Sequence, residues 1–177
     1  MTAGRVILSP WVLTSMWASG PPLLVITTPP PDAAADSWPL DGNAARRLLG
    51  IAHLGVPSWL RAHTPGDAVA AYFETVALWP EYTATRPAWE ARARANALTL
   101  TGRTVILLGR EAERAFAERL DNGGSKVPFC TWVNPAQGDD AAVYLLLPHP
   151  SPLNRVFNQK HHRQVAGSAI KRALEAA

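Results

Sequence analysis

The run Val143-Tyr144-Leu145-Leu146-Leu147, followed at once by Pro148-His149-Pro150-Ser151-Pro152, constrains this chain more than any other stretch. Five apolar residues without polar alternation read as a strand covered on both faces, the pattern of a parallel sheet. The strand cannot run on past Leu147, because each of three closely spaced prolines lacks an N–H and fixes its own φ. A stiff loop therefore leaves the carboxyl end of a buried strand, carrying His149, Ser151 and then Leu153. In open α/β sheets that edge is where ligands bind.

The rest of the chain alternates strands and helices. Leu23–Thr27 reads as a short buried strand, running into a second proline-stiffened loop, Thr28-Pro29-Pro30-Pro31-Asp32. Asp41 or Asn43 can cap the next helix, whose Leu48, Leu49, Ala52 and His53 fall at helical spacing. Thr64-Pro65-Gly66-Asp67 has the form of a capping box and predicts a short helix to about Tyr72. Phe73–Trp79 is the next strand, with Pro80 at its exit.

Pro87–Thr99 reads as a helix capped by Thr85, with Trp89, Ala93 and Ala97 on one stripe and Arg92 and Arg94 in water. Arg103–Gly109 is a buried strand, and Arg110–Phe116 a helix whose Glu111 and Glu113 suit its positive end. Val127–Val133 is a strand or edge segment, and a last helix spans about Asn158 to Glu175. Near the start, Ser9-Pro10 suits the opening of a short helix through Trp17. The expectation is one domain over residues 1–177, a three-layer α/β/α fold around a mostly parallel four-stranded sheet.

Composition narrows the chemistry. The net charge is +3, and arginine far outnumbers lysine, which suits phosphate contact. One cysteine, Cys130, excludes an intrachain disulfide and a cysteine-built zinc site. No Gly-x-Gly-x-x-Gly follows a strand, so a nucleotide cofactor is not expected, and no metal set is visible. Val6–Trp17 is interrupted by polar residues and too short to span a bilayer, so the expectation is an intracellular protein off the membrane.

His149-Pro150-Ser151-Pro152-Leu153 resembles the His-Pro-Ser-Pro-Leu loop of the uracil-DNA glycosylase superfamily. The block Pro39-Leu40-Asp41-Gly42-Asn43-Ala44-Ala45-Arg46-Arg47-Leu48-Leu49 is similar to the first motif of its small, thermophile-type members. The resemblance covers about residues 23–165 and implies that fold. It also implies a DNA partner and a monomeric enzyme without metal or cofactor that acts on a flipped base. In that family the histidine bonds the pyrimidine, and the leucine wedges into the gap left by the flipped nucleotide.

Two positions depart from the family pattern. A water-activating acid belongs near Thr28, where this chain has prolines and the nearest acid is Asp32. The base-reading Asn is replaced by Glu74, which when ionised only accepts hydrogen bonds.

The candidates are His149 to stabilise the departing base and Asp32 or Glu74 to position water. Thr28, Pro29 and Trp79 would line the base pocket. Ser151, Leu153, Asn154, Arg155, Lys160 and Arg163 would hold DNA. Adjacent histidines such as His161 and His162 diverge on a helix and make a poor metal pair. The expected reaction is N-glycosidic cleavage of a damaged or modified pyrimidine. Two alternatives stay open. One is a base-modifying transferase of the kind used in viral thymine hypermodification through 5-hydroxymethyluracil, with Glu74 as base. The other is an inactive DNA-binding module.

Overall fold

The computed structural model describes residues 21–26, 40–58, 60, 64–79, 87–121, 126–134 and 142–176. Four strands run parallel: β1 (Leu23–Ile26), β2 (Glu74–Ala77), β3 (Thr104–Leu108) and β5 (Val143–Leu147). A short fifth, β4 (Thr131–Val133), pairs antiparallel with β5. The sheet order is β2-β1-β3-β5-β4, so the described sheet has five strands where the sequence predicts four. The extra strand comes from the segment read as strand or edge. Cys130, at φ 59°, turns the chain, and its N–H reaches the Leu146 carbonyl. That contact aligns Thr131–Val133 along the open side of β5.

Side-chain alternation sorts the core into two layers. Leu24, Ile26, Ile106, Leu108, Leu145 and Leu147 face α1 (Gly42–Ala52), α2 (Pro65–Ala70) and α5 (Lys160–Glu175). Leu23, Val25, Val105, Leu107, Tyr144 and Leu146 face α3 (Ala88–Ala97) and α4 (Arg110–Ala115). Helices thus cover both faces of the sheet. Each aliphatic side chain buried this way contributes about 1.5–3 kcal/mol. Among the described residues no helix is long and apolar enough to cross a membrane.

The helix ends follow local chemistry. Asp41, not Asn43, caps α1, and its Oδ1 accepts from the N–H groups of Gly42 (2.6 Å) and Gly66 (2.8 Å). One carboxylate therefore ties the starts of α1 and α2 together. Thr64 and Asp67 form the expected reciprocal box around Pro65, though α2 ends at Ala70 rather than near Tyr72. The stripe expected on α3 is reversed: Ala91 and Ala95 are buried and Trp89 is 68% exposed. Two small alanines let the helix lie close to the sheet, whereas a tryptophan there would hold it away. The expected cap Thr85 lies outside the described residues, as does the segment through Trp17.

Close contact between α1 and α5 positions the site described below. A Cβ built on Gly167 would stand 2.3 Å from the Ile51 carbonyl oxygen. Gly167→Ala should therefore push the two helices apart, although alanine favours a helix by about 1 kcal/mol. Overpacking of about 1–3 kcal/mol outweighs that gain. Urea denaturation should show a lower midpoint for the variant, and an unchanged or higher midpoint would contradict this packing.

Candidate functional site

The chain leaves β1 toward β2 on one side, while β3 lies on the other, so the strand order reverses between β1 and β3. Outside the carboxyl ends at such a reversal lies the ligand crevice of open α/β sheets. β3 and β5 pair in register up to Leu108↔Leu147, so Gly109 and Pro148 emerge side by side at this edge. Gly109 has φ +90°, and a Cβ there would meet the His149 Cβ at 3.2 Å. Its N–H donates to the Leu147 carbonyl at 2.8 Å. The β3–α4 turn thus forms a wall directly against the histidine loop.

The loop holds itself in shape. The Ser151 N–H donates to His149 Nδ1 at 3.1 Å. Ser151 Oγ accepts from the Leu153 N–H at 3.3 Å. Asn154 uses both ends of its amide: Nδ2 donates to the His149 carbonyl, and Oδ1 accepts from the Val156 N–H. The 3₁₀ turn Arg155–Asn158 then leads into α5.

From α1, Arg47 reaches across and donates to the Ser151 carbonyl at 2.7 Å and to Asn158 Oδ1 at 2.8 Å. Its guanidinium lies 5.8 Å from the centre of the Phe157 ring. Sequence reading assigned Arg47 no separate role. Its only signal was membership of the Asp41–Leu49 block.

These contacts set the chemistry of His149. A ring nitrogen that accepts from a backbone N–H carries no proton, so the neutral imidazole keeps its proton on Nε2. Burial pushes the imidazole below its ordinary value of 6.5, and the Glu111 carboxylate opposes this in part. At neutral pH the site therefore presents a neutral Nε2–H donor. Such a donor can stabilise negative charge developing on an oxygen without first losing a proton.

The other candidates divide. Leu153 stands out from the loop, 92% exposed. Arg155 and Lys160 are exposed nearby, and among the described residues neither side chain forms a hydrogen bond or ion pair. Three of the DNA-holding candidates also bond within the chain. Arg163 donates to the carbonyls of Phe157 and Asn158, so it staples the turn. Asn154 is engaged on both sides within the loop. The N–H groups of Ser151 and Leu153 are also taken, which leaves Ser151 only its hydroxyl proton to offer.

Glu74 is the larger correction. It is the first residue of β2 and pairs with Leu23, the first of β1, so it sits at the amino edge of the sheet. There it bonds Arg103 at 2.6 Å, on the far side of the domain from His149. In a parallel sheet the start of a strand and the ligand edge lie at opposite ends. Trp79, just past the carboxyl end of β2, is on the same edge as His149 but is buried in the α3 layer. Its Nε1 is buried and has no hydrogen-bond partner among the described residues. Thr28, Pro29 and Asp32 lie outside the described residues.

Two outcomes follow. In an NMR titration His149 should protonate below pH 6.5, the ordinary value. Because its folded value is the lower one, its contribution to stability is complete above the unfolded value and fades as pH falls through the folded value. A midpoint above 6.5 would contradict the buried neutral ring. Arg47→Ala should cost about 1–3 kcal/mol and speed amide exchange at Leu153 and Asn154. Unchanged exchange there would show that the loop does not depend on α1.

Comparisons of this chain with protein-family models, with curated proteins and with solved structures find no match.

Proposed function

We propose that this protein binds DNA, turns a damaged or modified pyrimidine out of the stack and cleaves its N-glycosidic bond, as the uracil-DNA glycosylase superfamily does. One observation carries the reading. A single short, internally bonded loop presents both a neutral histidine donor and a fully projecting leucine at the ligand edge of the sheet.

The chemistry fits this pairing. Turning a base out costs a few kcal/mol, and an apolar side chain inserted into the stack offsets part of it. Leu153 is the side chain placed to do so. When the bond from the sugar to the base breaks, its electron pair goes to the base and negative charge gathers on the base oxygens. The His149 Nε2–H stabilises that charge without a cofactor. Arg155 and Lys160 supply phosphate contacts that position DNA without reading sequence.

The transferase alternative loses the base assigned to it, since Glu74 lies at the opposite edge. It survives only as an outcome of the test, together with binding in the absence of chemistry.

Duplexes carrying uracil, hypoxanthine or 5-hydroxymethyluracil are incubated with the protein and probed for abasic sites by alkaline cleavage. Cleavage is the expected result. A mass change on the base with an intact backbone would replace excision by modification, and salt-sensitive binding alone would leave a binding module. His149→Ala should lower turnover about a hundredfold or more while sparing most affinity. Leu153→Ala should slow turnover on a paired base more than on a mismatched one, because the mismatched base costs less to turn out. Lys160→Ala should reduce the slope of log affinity against log salt by about 0.9. Full turnover in His149→Ala would remove the histidine from the mechanism.

A further inference from the structure

Every bond that shapes the histidine loop passes through or beside Ser151. Its N–H donates to His149 Nδ1 at 3.1 Å, and its Oγ accepts from the Leu153 N–H at 3.3 Å. Its carbonyl accepts from Arg47 at 2.7 Å and from the Asn154 N–H at 2.9 Å. Pro150 and Pro152 have no N–H, so over residues 150–152 Ser151 holds the sole backbone donor. Of the four bonds, one depends on a group that takes a proton near neutral pH, and that is the bond to the ring.

The two forms of the ring make opposite demands on that bond. A neutral ring accepts the Ser151 N–H at Nδ1. An imidazolium carries a proton on each nitrogen and accepts nothing. The Ser151 N–H would then face a second N–H across 3.1 Å. Turning the ring over leaves the same N–H without an acceptor. Nor do the loop carbonyls stand free for the new proton: that of His149 takes the Asn154 amide, and that of Ser151 takes two donors. Relief has to come from the backbone of the loop.

We propose that the bond from Ser151 to His149 is an acid-released latch: a proton arriving on Nδ1 breaks it, and residues 150–153 leave the conformation that holds Leu153 outward. The proton comes from solvent and returns there, and no other covalent bond changes. The latch stands on the loop's own hydrogen bonds and assumes no substrate. A ligand that relies on the held loop loses it as pH falls. Burial opposes the charged ring more than Glu111 on α4 favours it, so release comes below the ordinary value of 6.5. The other charged groups around the loop are Arg47 on α1 and Arg155 and Lys160 just after the loop. His161 and His162 open α5, and His162 Nδ1 is tied to the Val156 carbonyl. Asp41 is engaged by two N–H groups, and Asp32 lies outside the described residues. All of these set the pH of release. That release occurs follows from where the proton goes.

The test is an NMR titration of the isotope-labelled full chain from mildly alkaline to acidic pH. The ring nitrogens of His149 should show Nδ1 bare and Nε2 protonated at the start, and both protonated at the end. Amide-exchange protection at Ser151 and Leu153 should fall about tenfold through the ring's own midpoint, the size of one lost hydrogen bond. Protection at Leu107 and Leu145, inside the sheet, should hold through the same range. His149→Asn puts an amide oxygen where Nδ1 stood, an acceptor that takes no proton here and suits the N–H two residues on. That variant should stay latched at every pH, and His149→Ala, which has no acceptor, should be open at every pH. Ser151 protection that ignores the ring's titration would overturn the latch. Protection in His149→Ala equal to that of the alkaline wild type would do the same. Loss of protection in His149→Asn at the wild-type midpoint would place the trigger on another group. A ring that stays neutral until the Leu107 and Leu145 amides also exchange would replace local release by unfolding of the domain, and the latch would fall with it.

Discussion

The approach of Gly109 to His149 is the contact on which the rest depends. At 3.2 Å from a built Cβ to the His149 Cβ, the β3–α4 turn and the histidine loop have no room for a side chain between them. Glycine also supplies the φ of +90° that the turn needs, which other residues adopt only at a cost. The contact follows from parallel register. Leu108 and Leu147 end their strands together, so whatever follows each must share one small space. Burial of His149 and the neutral imidazole that burial favours are consequences of that shared end.

How much of this could be read from sequence depends on the range of the interaction concerned. Strand β5 was legible because five apolar residues ending in prolines allow few other readings. The box at Thr64 and the cap at Asp41 are local, and local rules predict them. Arg47 is a different case, since its partner Ser151 lies 104 residues away and nothing in its neighbourhood points there. The internal bonds of Asn154 and Arg163 were not legible either, because a polar residue beside a loop reads the same whether its donors face solvent or a carbonyl of its own chain. Glu74 went astray for a reason of polarity. The strand around it was read correctly, but an acid at the first position of a parallel strand faces away from the ligand edge.

The two sheet edges are thereby given different work. At the amino edge Arg103 holds both Glu74 and the Pro21 carbonyl, closing off the starts of β1, β2 and β3. Glu74 is more than half exposed while Arg103 is mostly buried, so solvent screens the pair from the glutamate side. At the carboxyl edge charge is arranged otherwise. Exposed cations, Arg155 and Lys160, stand on the turn before α5 and at its start.

Exposure of one leucine is ordinary in a folded protein and by itself says nothing about partners. What sets Leu153 apart is that its surroundings keep it from folding back. Pro150 and Pro152 fix the backbone before it, its own N–H is held by Ser151, and Asn154 is bonded on either side of the turn. Arg47 then anchors the whole loop to α1, which Gly167 allows to lie close against α5. A side chain free to move would lose rotamer and backbone freedom on inserting between bases, and that loss would subtract from affinity. Here most of the ordering is complete in the unbound fold, so on the proposed reading Leu153 and the His149 Nε2–H would be presented together without further ordering of the loop.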